Sequence, residues 1–401
     1  MPFQGAYLCI NVPLMRLFTA LFFLLGFTAC PPPPQTSIGQ SPTPTAALPT
    51  ATIIPTTLPE STATTPKNII LMIGDGMGVT QITSGIYSSN DQLQLERFRV
   101  MGLHKPYSSN NLITDSGAGA TALACGVKTY NGAIGVNADT VVVPSILEIA
   151  ESHNFATGLI ATSSIVHATP ASFIAHNVYR RNYEDIAEDF LDTEIDLFIG
   201  GGYKYFTRRA KDERNLVSEL QERGYRVENH LGLELNELSP TATQNFIYFT
   251  ADGEPIPFSQ GRDYLLPAVE LAPGFLREHA GEDGRFFLMV EGSQIESGGH
   301  ANNHDYIVSE MLEFDRAVGK VLDFAAEDGE TLVIVTADHE TGGYAINYGS
   351  TRDSIIAAFT SDYHTADLIP VFAYGPGAEV FGGIYENTAI YYKMIELLGL
   401  D

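Results

Sequence analysis

The chain has 401 residues, 44% of them hydrophobic, enough for one large domain or two small ones with a substantial core. Its 48 acidic against 22 basic residues give a formal charge of −26, which argues against a nucleic-acid-binding surface. An anionic substrate would be repelled at long range, so a site for one needs local positive charge, which metal ions can supply.

The N-terminus reads as an export signal: Arg16, then apolar residues 17–27, a stretch too short for a confident membrane span. Met15 is an alternative start to Met1. Phe27-Thr28-Ala29-Cys30 resembles a bacterial lipobox, with Phe27 where that pattern prefers leucine. The readings are lipidation of Cys30, ordinary cleavage near Ala29, or an uncleaved anchor. Residues 31–66 hold ten prolines, ten threonines and a single charge, Glu60. Such a segment cannot build a core; it reads as an extended stalk holding a domain off a membrane surface. Cys9 and Cys30 belong to the leader, so Cys125 stands alone in the folded part and is expected as a small buried apolar residue.

The folded domain is expected over 67–401. Strands are predicted at Asn68–Gly74, 155–161, 196–200, 286–290, Thr331–Thr336 and 370–373, each a short apolar run ending in polar or glycine residues. Helical patterns at 145–152, 183–191, 212–223 and 307–325 separate them. Alternating strands and helices predict an α/β fold of three layers, a mostly parallel sheet covered on both faces. The less regular stretch 203–260 is expected to hold an insertion or cap over the site.

Within that frame, Thr114-Asp115-Ser116-Gly117-Ala118-Gly119-Ala120-Thr121 places a serine in the first turn of a helix capped by Asp115. The positive helix end favours an anion and eases loss of the serine proton. The small residues read either as tight packing or as room for something bulky beside the hydroxyl.

In open α/β sheets, ligands bind beyond the carboxyl ends of the strands. Here those ends lead into Asp75, into His167-Ala168-Thr169-Pro170, into Glu291 with Glu296 and His300, and into Asp338-His339-Glu340; His364 precedes the last predicted strand. Histidine with carboxylate suits zinc, and hydroxyl with carboxylate suits magnesium.

The segments Asp75-Gly76-Met77-Gly78, Thr114-Asp115-Ser116, Gly126-Val127-Lys128-Thr129-Tyr130-Asn131-Gly132, His167-Ala168-Thr169-Pro170, Glu291-Gly292-Ser293-Gln294-Ile295-Glu296 and Thr336-Ala337-Asp338-His339 stand in the order that resembles alkaline phosphatases, from about residue 68 onward. The resemblance implies an alkaline-phosphatase-like fold, with two Zn2+ and one Mg2+ as cofactors. It implies Ser116 as the nucleophile that becomes phosphoserine, and Arg180 as the phosphate-binding fork. Asp75, Asp338 and His339 match the ligands of one zinc, and Glu296, His300 and His364 those of the other. Asp75, Thr169 and Glu291 match the magnesium site. His167 and Glu340 are expected just behind these ligands, Glu340 orienting His339.

Three positions depart from the family pattern: Glu296 where aspartate is usual, Ser297 where a larger side chain is common, and His167 where some members carry an acid. Hydrolysis of phosphate monoesters is the activity implied, at an exported or cell-surface site. Rival readings are a phosphodiesterase or sulfatase on the same scaffold, a surface protein that only captures phosphate, and a tethered adhesin suggested by the stalk alone. A homodimer fits the resemblance, though no interface is readable.

Overall fold

The computed structural model describes residues 64–89, 92–352 and 354–400. The leader, Cys30 and all but the end of the 31–66 stalk lie outside the described residues. Among the described residues no helix is long and apolar enough to cross a membrane.

In chain order the strands are β1 (Asn68–Gly74), β2 (Val100–Lys105), β3 (Ala156–Ser164), β4 (Leu197–Gly201), β5 (Arg226–Asn229), β6 (Phe246–Phe249), β7 (Phe286–Gly292), β8 (Thr331–Thr336), β9 (Glu340–Thr341), β10 (Tyr344–Ile346), β11 (Ala357–Phe359), β12 (His364–Thr365), β13 (Ile369–Tyr374) and β14 (Gly383–Glu386). Ten of them form one sheet in the order β14-β2-β13-β8-β1-β7-β3-β4-β6-β5. Neighbours pair in parallel except at β13, which runs against both β8 and β2.

The central strands are apolar throughout because both faces are covered. Ile69, Leu71 and Ile73 of β1 enter one core, and Ile70 and Met72 the other. Helices Ser116–Cys125, Ile146–Ser152, Leu216–Glu222 and Thr388–Leu398 close the first core with Leu123, Ile146, Leu216 and Ile390. Helices Val79–Ser88, Leu265–His279 and His304–Asp328 close the second with Ile82, Val269 and Met311. Each such side chain contributes about 1.5–3 kcal/mol on burial, most of it offset by lost conformational entropy. The three layers are those the sequence pattern predicts.

Helix boundaries follow local chemistry. Ser145 caps Ile146–Ser152 in a capping box with Glu148. Asn303 accepts from Tyr306 N at 3.1 Å to start His304–Asp328, which stops at Gly329 in the left-handed region. The pattern at 212–223 yields only Leu216–Glu222, because Asp212 is drawn into hydrogen bonds with Arg209 and the Arg214 N–H.

Stretch 203–260 supplies β5 and β6, which extend the sheet at one edge. Its far part reaches back over the strand ends, where Glu254 accepts from Ser164 N at 2.7 Å.

Candidate active site and metal centre

Parallel pairing brings the carboxyl ends of β1, β3, β7 and β8 to one edge of the sheet, where the expected residues gather. Asp75 follows β1, its N–H bonded to Gly292 O at 3.1 Å. Asp338 follows β8, and its Oδ1 accepts from Gly76 N at 3.3 Å and His339 N at 2.9 Å. Glu296 and His300 lie four apart on helix Gln294–His300, hence on one face. β12 pairs with β9 and so lays the His364 ring on that of His339, 3.5 Å between centroids.

Ser116 opens helix Ser116–Cys125, whose cap, Asp115, accepts from Ala118 N at 3.0 Å. The serine is fully buried, with Oγ 3.3 Å from both Glu296 Oε1 and His339 Nε2. The neighbouring glycines admit protein rather than ligand. A Cβ on Gly117 would meet Ala133 O at 2.8 Å, and one on Gly119 would meet Asp338 Cβ at 3.0 Å. The room anticipated beside the hydroxyl is thus taken by the Asp338 backbone, which the small residues let approach.

Three groupings of donor atoms have the spacing of a metal site: Asp75–Asp338–His339, Glu296–His339–His364 and Asp75–His167–Glu291. His300 Nε2 sits 3.3 Å from both Glu296 Oε1 and His364 Nε2, which brings it beside the second grouping. Thr169 Oγ1 donates to Asp75 Oδ2 at 3.4 Å, beside the third. His167, expected as a site residue beside these ligands, shares that third grouping.

The donors are set up for cations. Nδ1 of His300 faces Asp362 O at 2.7 Å, and Nδ1 of His364 faces Thr114 O at 2.8 Å. A carbonyl can only accept, so each Nδ1 carries a proton, which leaves Nε2 as the ring atom turned into the site. Asp75 Oδ1, Asp338 Oδ2, Glu291 Oε1 and His167 Nδ1 are buried with no hydrogen-bond partner. Buried polar atoms are normally paired, so four unpartnered atoms on residues of these groupings fit divalent ions. Burial, with the carboxylates of Asp338 and Glu296 adding to it, pushes Glu291 up to about 8. Burial and the same neighbours hold Asp75 well above the usual carboxylate range. Burial also opposes charge on Glu296, yet hydrogen bonds from His300 and His364 hold it well below that range.

Arg180 Nη1 donates to Asp115 Oδ2 at 3.0 Å, and Nη2 lies 3.4 Å from His167 Nε2. Arg180, Glu296, His300 and His364 line a cleft of about 570 Å³, together with Tyr179, Arg181 and Tyr363. The two tyrosines and Arg181 carried no motif in the sequence. Tyr363 stacks on His364, 4.3 Å between centroids, and its ring lies 6.0 Å from that of His300.

Glu340 corrects an expectation. It does not touch His339, whose Nδ1 faces Thr341 Oγ1 at 3.2 Å. It accepts from Gln81 Nε2 at 2.7 Å, Thr365 Oγ1 at 2.5 Å and Gly343 N at 3.1 Å, and so ties β12 to the turn after β9. Its side chain points away from the ring because successive residues alternate direction as the chain enters β9.

A buried serine among histidines and carboxylates grouped for metals, at the carboxyl edge of a parallel sheet, is the arrangement of a metal-dependent hydrolase. The sequence pattern of the alkaline phosphatase family matches residues 66–358. Alkaline phosphatase 3 of Bacillus subtilis is 31% identical, aligned over 83% of this chain and 89% of its own. The alkaline phosphatase of the Antarctic bacterium TAB5 is 44% identical, with a TM-score of 0.79 over 84% of this chain and 99% of that one. A histidine-to-glutamate variant of the TAB5 enzyme, 42% identical with the same TM-score and coverage, has magnesium bound in its M3 site. The chain belongs to the alkaline phosphatase family and is a phosphomonoesterase.

Proposed function

We propose that this enzyme hydrolyses phosphate monoesters through a phosphoserine at Ser116, with zinc at Asp75–Asp338–His339 and at Glu296–His300–His364, and magnesium at Asp75–Thr169–Glu291 beside His167. The observation that carries this reading is convergence. Ser116 Oγ lies 3.3 Å from Glu296 and His339, and Glu296 lines a cleft with Arg180. Divalent cations held by these residues supply positive charge that lowers the proton affinity of the serine hydroxyl and of water and offsets the charge of the phosphate. They also answer the problem of an anionic substrate on a chain of charge −26.

The chain's own residues do the rest. Asp115 fixes the first turn of the Ser116 helix, so Oγ is held for in-line attack. The Oγ–phosphorus bond forms as the ester phosphorus–oxygen bond breaks, and the alcohol leaves with a proton. Water then displaces Oγ, and inorganic phosphate departs. The planar fork of Arg180 takes two phosphate oxygens, held in orientation by Asp115. A third oxygen free of ester linkage exists only in monoesters, which favours them over diesters.

The test compares one leaving group presented as a monoester, a diester and a sulfate ester, with the full chain before and after chelation and zinc restoration. Monoester preference with zinc-dependent turnover is expected. A faster diester or sulfate would reassign the enzyme within its fold, and tight phosphate binding without turnover would make it a capture protein. We also propose that the chain is exported and tethered through a lipid on Cys30, with 31–66 as the stalk. Labelled fatty acid should enter the wild type and not Cys30→Ser.

A further inference from the structure

Loop 126–132 carries family-like residues that the reaction above leaves unused. Its charged member, Lys128, does not reach the cleft; Nζ donates to the carbonyls of Lys105 at 3.3 Å and Tyr107 at 2.6 Å. Asn131 and Gly132 do line it. Asn131 Oδ1 accepts from Asp115 N at 3.2 Å, and its Nδ2 donates to Ile113 O at 2.9 Å. Its own N–H donates to Asn110 Oδ1 at 3.1 Å. Gly132 faces two ways: its N–H donates to Asp115 Oδ2 at 2.9 Å, and its carbonyl accepts from Arg180 N at 2.7 Å. That geometry needs φ of +97° at Gly132. A Cβ there would find its nearest neighbour, Tyr179, at 3.9 Å, so conformation rather than space calls for glycine.

We infer that Asn131 is a positioning residue for phosphoryl transfer. With Gly132 it forms a bracket between the backbone that carries Ser116 and the backbone that carries Arg180. This inference rests on the reading of Ser116 as nucleophile and Arg180 as phosphate ligand. Asp115 is the shared member: its N–H is held by Asn131, and its carboxylate by Gly132 N, Ala118 N and Arg180 Nη1. A long arginine side chain binds tightly only when its fork is already oriented. The bracket supplies that orientation from the nucleophile's own turn, so attacking oxygen and phosphate clamp share one frame.

The test measures inhibition by inorganic phosphate, with kcat and KM on a monoester, in the full metal-loaded chain. The set is wild type, Asn131→Ala, Arg180→Ala and the double variant. Asn131→Ala should raise the phosphate inhibition constant and KM roughly three- to tenfold, with a smaller change in kcat. In the double variant the inhibition constant should match that of Arg180→Ala alone, because both changes act through the same clamp. Asn110→Ala, at an exposed position, loosens Asn131 without touching the cleft and should give a smaller rise in the same sense. It also decides the matter if Asn131→Ala fails to fold. Additive effects in the double variant, or unchanged phosphate inhibition in both asparagine variants, would overturn the bracket alone. Unchanged inhibition in Arg180→Ala would instead remove the arginine reading on which it stands.

Discussion

Ser116 offers one proton and meets two groups able to accept it, Glu296 Oε1 and His339 Nε2, each 3.3 Å from its Oγ. The hydroxyl is therefore pinned before any substrate arrives. Ser116→Ala should keep its metals and lose turnover by at least about 10³-fold, since a nucleophile has no substitute in the cleft. Metal analysis beside a steady-state assay checks this, and wild-type turnover would exclude Ser116 from the reaction. Glu296→Gln should behave in the opposite way. Glu296 Oε1 is the common point of His300, His364 and Ser116, so removing its charge should cost about one equivalent of bound metal. Full metal content in that variant would show that the histidines suffice. At this scale the sequence was informative wherever a side chain follows a strand end, as Asp75 and Asp338 do. It was silent on Asp115 as partner of Arg180, because loops separated by tens of residues set that contact. Glu340 misled for a related reason: adjacency to His339 in the chain says nothing about which way a strand side chain points.

The strands foreseen from sequence are those buried on both faces, such as β1 and β8, every residue of which is inside. Those not foreseen are short or one-sided. β2 alternates buried with partly exposed residues, β5 is half-buried throughout, and β14 lies at an edge with Gly383 and Ile384 exposed. Edge strands meet solvent on one side and so lose the continuous apolar signature. At the opposite edge from the site, beyond the start of β3, burial and the nearby Asp196 carboxylate push Glu151 up to about 8. Its Oε2 still accepts from Thr157 Oγ1 at 2.7 Å. The folded state thus holds a proton there that the unfolded chain releases near its ordinary value, about 4.3. Stability is lost to this group as pH rises from that value to about 8, and the loss is constant above. Glu151→Gln imitates the protonated form and keeps an acceptor for Thr157. It should melt with the wild type near pH 4 and above it at pH 9, and equal melting at both would refute the shift.

For the molecule as a whole, the site concentrates Asp75, Glu291, Glu296 and Asp338, all buried, in a chain already at −26. Cations are therefore part of the fold's charge balance as well as of the chemistry. Chelation should lower the melting temperature as well as abolish turnover. A metal present at a hundred times its Kd stabilises by about 2.7 kcal/mol, and zinc should restore both properties. Loss of activity without a change in melting would mean that the carboxylates tolerate one another without metal. The reversed strand β13 carries a different consequence, one of timing. It lies between β8 and β2, so β2, made near residue 100, joins the central strands only through residues near 370. Its opposite direction is also what brings His364, just upstream, to the catalytic edge instead of the far one. A nascent chain that has passed residue 340 has already made Ser116, Arg180 and most of the metal donors. It still lacks the strand that attaches β2 and the histidine that stacks on His339. The site is therefore assembled only once the polypeptide has been made past residue 374, and a product truncated before that point would carry Ser116 without the strand and histidine that complete its surroundings.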